Sequence, residues 1–195
     1  MEAVTQWDLN VLMWIQEHVR SEALTPLMKG VSMLAHAGWF FIVLIVLLLA
    51  LKKTRKTGLL CALCLLGSVI CCNVILKPLV ARIRPYDLYA ALLPLGHETD
   101  FSFPSGHTNC AFSVAWMLLF CWREDGKRWI ACGVTILAAV IAFSRLYLGV
   151  HYPTDVIAGM ILPLLVALLV WHLLIRKGLL EREEARLRER RKKKG

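Results

Sequence analysis

The chain is divided into apolar runs, each near the ~20 residues that an α-helix needs to cross a bilayer core. Gly38 to Leu51, joined with the turns before it, is closed by Lys52-Lys53-Thr54-Arg55-Lys56. Leu59 to Leu76 ends at Lys77-Pro78, and further runs lie at about 106–122, 129–146 and 156–175. Inside hydrocarbon every backbone N–H and C=O must be bonded within the segment, so such runs fold as helices. At 58% hydrophobic residues and a mean hydropathy of +0.60, the chain lies far from a soluble domain. The expected fold is all-α: a polytopic transmembrane helical bundle with five clear spans. Residues 1–178 would form the integral-membrane domain and residues 179–195 a basic tail.

Residues 1–20 interleave Trp7, Leu9, Val11, Leu12, Trp14 and Ile15 with Asp8, Asn10, Gln16, Glu17 and His18. That pattern suits an amphipathic or partly inserted helix. Lys29 and His36 make the next stretch less compatible with lipid, so a partly inserted hairpin and a sixth span both fit. Glu2, Asp8 and Glu17 interrupt any cleavable signal pattern.

The short segments 52–56, 123–128 and 176–195 are all positive and are expected to be cytoplasmic. Segments 77–107 and 144–155 then share the extracytoplasmic face. Of the net charge of +9, the last twenty residues carry +6, from ten Lys or Arg against four Glu. A tail facing anionic membrane lipid accounts for this charge, and no nucleic-acid partner is expected. The seven cysteines lie in or beside apolar runs and read as small apolar fillers. Cys61 and Cys64 have CxxC spacing but lack a second ligand pair.

Three polar clusters fall at span ends on the extracytoplasmic face: Lys77, Arg82 and Arg84; Ser105-Gly106-His107; and Ser144, Arg145, His151 and Asp155. Single charges at such places can simply snorkel, but that reading does not explain three clusters on one face. Guanidinium and ammonium groups match phosphoryl oxygens. Ser105 and Gly106 stand at a helix start, where backbone amides receive an anion and glycine allows close approach. His107, in the first turn, can exchange a proton with a bound phosphate ester. Pro153 favours the first turn of the last span, which puts His151 just before it. Asp155 can accept a bond from one imidazole nitrogen and leave the other as a nucleophile. Seen alone, Asp155 reads equally as a first-turn carboxylate. No HExxH or paired-carboxylate spacing occurs, so neither metal nor cofactor is expected. His18, His36, His97 and His172 lack matching partners, and Asp87, His97, Glu98 and Asp100 either shape an entrance or solvate their loop.

These residues resemble the signatures of the type 2 phosphatidic acid phosphatase superfamily. Lys77, six residues, then Arg84-Pro85 is similar to the first signature, Pro104-Ser105-Gly106-His107 to the second, and Ser144-Arg145 with His151 and Asp155 to the third. The resemblance implies a small bacterial membrane lipid phosphatase that works through a phosphohistidine without metal. His151 would attack phosphorus, Asp155 would orient it, and His107 would protonate the leaving oxygen. Lys77, Arg84, Ser105, Gly106 and Arg145 would hold the phosphate, and Arg82, outside the signature, would contact a second phosphate or headgroup. The partner would be an amphiphilic lipid phosphate or diphosphate, with undecaprenyl diphosphate favoured over phosphatidylglycerol phosphate and phosphatidic acid. The expected location is the bacterial inner membrane, with the active site outside and the C-terminus in the cytoplasm. An anionic lipid or phosphate transporter is the non-enzymatic rival.

Overall fold

The apolar runs are helical throughout the computed structural model, which describes residues 2–124 and 126–176. The basic tail expected at 179–195 lies outside the described residues. The order is α1 (Glu2–His18), α2 (Leu24–Leu34), a 3-10 turn (His36–Gly38), α3 (Trp39–Ala50) and α4 (Arg55–Val69). A π-helical segment (Ile70–Leu76) then leads into α5 (Lys77–Val80) and α6 (Pro85–Leu88). The long helices α7 (Gly106–Cys121), α8 (Arg128–Tyr147) and α9 (Pro153–Trp171) follow. No strand occurs among the described residues.

By length and composition, not all of the five spans expected are met. Three helical stretches are long and apolar enough to cross a membrane: Arg55–Leu88, Arg128–Tyr147 and Pro153–Leu174. A fourth appears if α2 and His36–Ala50, bent by 45° at their junction, are taken as one span. The run expected at 106–122 forms α7, with only 16 residues, about 24 Å at ~1.5 Å per residue. α7 packs against α4, α8 and α9 and buries Thr108, Asn109 and Ser113 together with Ala111, Phe112 and Val114. A helix that meets mostly protein needs neither full bilayer length nor a wholly apolar surface.

The N-terminal segment is helical and amphipathic. Leu12 and Ile15 are buried against Leu92, Tyr147, Leu148, Val150 and Tyr152, while Val4, Trp7 and Trp14 are exposed. α1 therefore sits on the α8–α9 connection. Arg20 fastens the join by donating to the carbonyls of Tyr147 (2.9 Å) and Leu93. Gly149 lies beneath that guanidinium with φ +72°, and a Cβ there would come within 2.6 Å of Arg20. Glycine meets both conditions, the backbone and the space.

Two helix irregularities lie near one another in the fold. Ala37 (φ 50°) and Gly38 (φ 70°) break the α2–α3 path. The π segment ends at Leu76, one residue short of Pro78, whose missing N–H and bulky ring disturb the preceding turn. α7 and α9 approach closely on the same side of the bundle. A Cβ on Gly159 would meet the Ser105 carbonyl oxygen at 2.8 Å and Thr108 Cβ at 3.1 Å.

That contact is testable. Gly159→Ala must push the two helix starts apart, at a cost of about 1–3 kcal/mol for overpacking. The variant should melt at a lower temperature in detergent and lose activity, because both helix starts carry residues expected to form the site. An unchanged melting temperature would show that α7 and α9 separate freely.

Candidate active site

Ser105 caps α7 with an extended backbone (φ −68°, ψ 112°). Its N–H donates to the Asp155 carbonyl at 3.1 Å, and its hydroxyl accepts from Thr108 at 3.0 Å. The Ser105 amide is thus committed within the protein, contrary to the expectation that it would be open to an anion. Gly106 and His107 follow in the first turn, and both line a cavity of ≈ 300 Å³.

His151 lines the same cavity from the α8–α9 connection. Its Nδ1 lies 3.5 Å from Asp155 Oδ2 and 3.5 Å from Ser102 Oγ, and its Nε2 lies 3.4 Å from an Arg84 guanidinium nitrogen. Asp155 itself is behind the ring, fully buried. Its Oδ2 accepts from the Ser102 hydroxyl and from the Tyr152 N–H at 2.9 Å. Burial pushes His151 down to about 4, against the upward pull of its contact with Asp155, and Arg84 and Arg145 lower it further. The ring is therefore held neutral.

Lys77, at the end of the π segment, and Arg84 form another wall of the cavity. Both pair with Asp100, and Arg84 also donates to the Asp100 carbonyl (2.9 Å) and the Val150 carbonyl (2.6 Å). Partial burial would raise the Asp100 carboxyl, but Lys77 and Arg84 prevail and hold it below its ordinary value. Arg145 is buried and is not among the lining residues; it pairs with Glu98 and donates to Ser32. Its Nε has no hydrogen-bond partner.

Among the residues expected to form the site, Lys77, Arg84, Gly106, His107 and His151 share one cavity. Ser105, Arg145 and Asp155 support it from behind. Arg82 borders a second cavity, ≈ 620 Å³, which shares Asn73, Lys77, Arg84, Glu98 and Asp100 with the first. Its guanidinium is engaged by Asp8 and Asp155, both at 2.7 Å.

Sequence reasoning overlooked several groups. His36 has no partner in the sequence pattern, yet its ring centroid is 6.0 Å from that of His107, and it lines the cavity. Glu98 and Asp100, read as shaping an entrance or solvating a loop, pair with the site's cations. Asp8, Asn73 and Ser102 carried no local signal. Pro78, after Lys77, is a local sign in the sequence that nearby backbone is irregular. Among the described residues, no group of three or more His, Cys, Asp or Glu is arranged to hold a metal ion.

Comparison with known proteins identifies relatives in sequence and in fold. Residues 57–178 match the family model for the PAP2 superfamily. Phosphatidylglycerophosphatase B of Bacillus subtilis (strain 168) is 34% identical over 162 residues, which cover 78% of this chain and 76% of that protein. An undecaprenyl-diphosphatase of Sulfolobus acidocaldarius is 34% identical over 117 residues, covering 60% of this chain and 54% of the relative. The crystal structure of a transmembrane PAP2 type phosphatidylglycerolphosphate phosphatase from Bacillus subtilis matches with a TM-score of 0.73 and 31% identity. That match covers 93% of this chain and 88% of the other.

The buried histidine makes a prediction about stability. An unfolded chain titrates histidine near ~6.5, while folded His151 is held at about 4. Between those values the unfolded state binds the extra proton, so its stabilising contribution is lost as pH falls. In detergent the melting temperature should drop from about pH 7 to about pH 5, and less steeply in His151→Asn. Parallel slopes would show that folded His151 takes up its proton as freely as the unfolded one.

Proposed function

This chain belongs to the PAP2 superfamily, and from that membership we propose that it hydrolyses undecaprenyl (polyprenyl) diphosphate to the monophosphate and inorganic phosphate. The observation that carries the reading is one cavity lined by His151, His107, Lys77, Arg84 and Gly106. These residues come from four separate elements, and their chemistry is that of a phosphoryl-transfer site.

In this reading His151 Nε2 attacks the terminal phosphorus as the bond to the leaving oxygen breaks. Asp155 orients the ring through Nδ1, as the 3.5 Å approach supports. Holding the imidazole neutral keeps its lone pair available. His107 gives its proton to the leaving oxygen, then takes one from the water that cleaves the phosphohistidine. Lys77, Arg84 and the start of α7 at Gly106 receive the phosphate oxygens, and Arg145 and Ser105 act at the rear of the same grip. No metal takes part.

Two features support an amphiphilic substrate. The second cavity brings Pro78, Ile83 and Phe101 beside Lys77 and Arg84, an apolar flank next to the cation pair. Leu79, Val80 and Ile83 are exposed nearby, where a lipid tail would lie. The positive segments 52–56 and 123–128 favour cytoplasmic loops, which would put the site on the extracytoplasmic face of the bacterial inner membrane and the C-terminus inside. The second reading is a phosphatidylglycerol phosphate phosphatase. It is favoured by the 34% identity over 162 residues to the phosphatidylglycerophosphatase of Bacillus subtilis.

Purified protein in detergent with EDTA, offered undecaprenyl diphosphate, phosphatidylglycerol phosphate and phosphatidic acid, tests these assignments. Phosphate release should be fastest from undecaprenyl diphosphate. His107→Ala should slow it by about 10²- to 10⁴-fold, and His151→Ala should reduce it to background. Faster turnover of phosphatidylglycerol phosphate would shift the assignment to the second reading. Loss of activity in EDTA would require a metal, and unchanged release in both histidine variants would overturn the mechanism.

A further inference from the structure

Asp8 is a fully buried carboxylate on α1, 143 positions from the third cluster's His151 by number, yet it reaches the active end of the protein. Its Oδ1 accepts the Thr154 N–H at 2.9 Å, and its Oδ2 accepts the Thr154 hydroxyl at 2.6 Å. The same Oδ2 takes one guanidinium nitrogen of Arg82 at 2.7 Å. The other terminal nitrogen of Arg82 donates to Asp155 Oδ1 and to Thr154 Oγ1, both at 2.7 Å. The guanidinium lies over the Tyr152 ring, 3.7 Å from its centroid. One arginine thus bridges two buried carboxylates on a rigid aromatic floor.

We propose that Asp8, Arg82 and Thr154 form a positioning network that fixes the Asp155 carboxylate, and through it the ring of His151, so that the N-terminal helix completes the active site. This rests on reading His151 as the nucleophile. Asp155 uses Oδ2 for Ser102, the Tyr152 N–H and the approach to His151. Its Oδ1 is held by Arg82. Rotation of the carboxylate about Cβ–Cγ would break these contacts together, so the guanidinium sets the plane that His151 meets. Arg82 is in turn set by Asp8 and Tyr152. The forked geometry requires arginine, since lysine offers a point charge without two fixed donor directions. An Arg82 that gripped a second phosphate would have to release these partners. A mere staple between α1 and α9 would affect stability but not the chemical step.

The two roles separate kinetically. Asp8→Asn keeps the size and an acceptor for the Thr154 N–H but removes the charge facing Arg82. Asp8→Asn and Arg82→Gln should each slow phosphohistidine formation by about 10- to 100-fold, with KM changed less than about 2-fold. Formation is read by alkaline quench with whichever ³²P-labelled lipid of the panel turns over fastest. Arg82→Lys should recover only part of the loss. The double variant should be no slower than Arg82→Gln alone, because both changes break one unit. Melting temperatures are read in parallel. If Asp8→Asn does not fold, the Arg82→Lys and Arg82→Gln pair gives the same reading from a partly exposed side chain. A raised KM at unchanged kcat would make Arg82 a headgroup contact and overturn the network. Lower melting temperatures with normal kcat would reduce it to a staple, and multiplicative losses in the double variant would also overturn it. A labelled wild type beside an equally fast Asp8→Asn overturns the network alone. A wild type that turns over lipid without labelling overturns the nucleophile, and the network with it.

Discussion

The carboxylate of Asp155 is fully buried and meets Arg82, Ser102, the Tyr152 N–H and the His151 ring. A buried ion costs several kcal/mol unless hydrogen bonds and opposite charge compensate it. The compensating groups come from three places in the chain: the stretch after α5, the loop before α7, and the turn before α9, which supplies both the Tyr152 N–H and His151. The carbonyl of the same residue accepts the Ser105 N–H, so α7 is tied to α9 at that point too. Satisfying this one ion therefore draws the loops of the site into a single arrangement. The rest of the bundle has to permit it, as Gly159 does by leaving room for Ser105.

The helices and the three polar clusters were legible in the sequence because their signals are local. An apolar run long enough to cross a bilayer reads as a helix by itself, and Lys77, His107 and His151 each stand beside the end of such a run. The number of spans was not legible in the same way. α7 is apolar enough to resemble a lipid-facing helix, but it packs within the bundle and can be short. Hydropathy does not distinguish a helix surrounded by lipid from one surrounded by helices.

Asp8 and His36 were missed for a related reason. In α1, Asp8 looked like one more polar residue on the wet side of an amphipathic helix, and its partner Thr154 is 146 residues away. His36 looked like a blemish in a span. Its place beside His107 depends on the positive φ angles of Ala37 and Gly38, and alanine gives no warning of a left-handed turn. Chemistry that depends on a kink or on long-range pairing leaves no periodic trace.

The acidic residues of the 97–100 loop bear on what the cavity can select. Lys77 and Arg84 share Asp100, and Arg145 holds Glu98, so three cations face two carboxylates. An anion that binds there must compete with or share those carboxylates. A lipid bearing a single carboxylate has no more charge and no more acceptor oxygens than Asp100 already supplies, so it gains little by competing. A phosphate monoester or diphosphate brings more oxygens and, near neutral pH, more than one charge. It can engage the Arg84 guanidinium and the Lys77 ammonium, which line the cavity, together. If the cavity binds phosphate as proposed, the paired loop would act as a threshold. It would leave enough positive charge to attract phosphate and would oppose weaker anions, as a site acting on lipid phosphates among other anionic lipids would need.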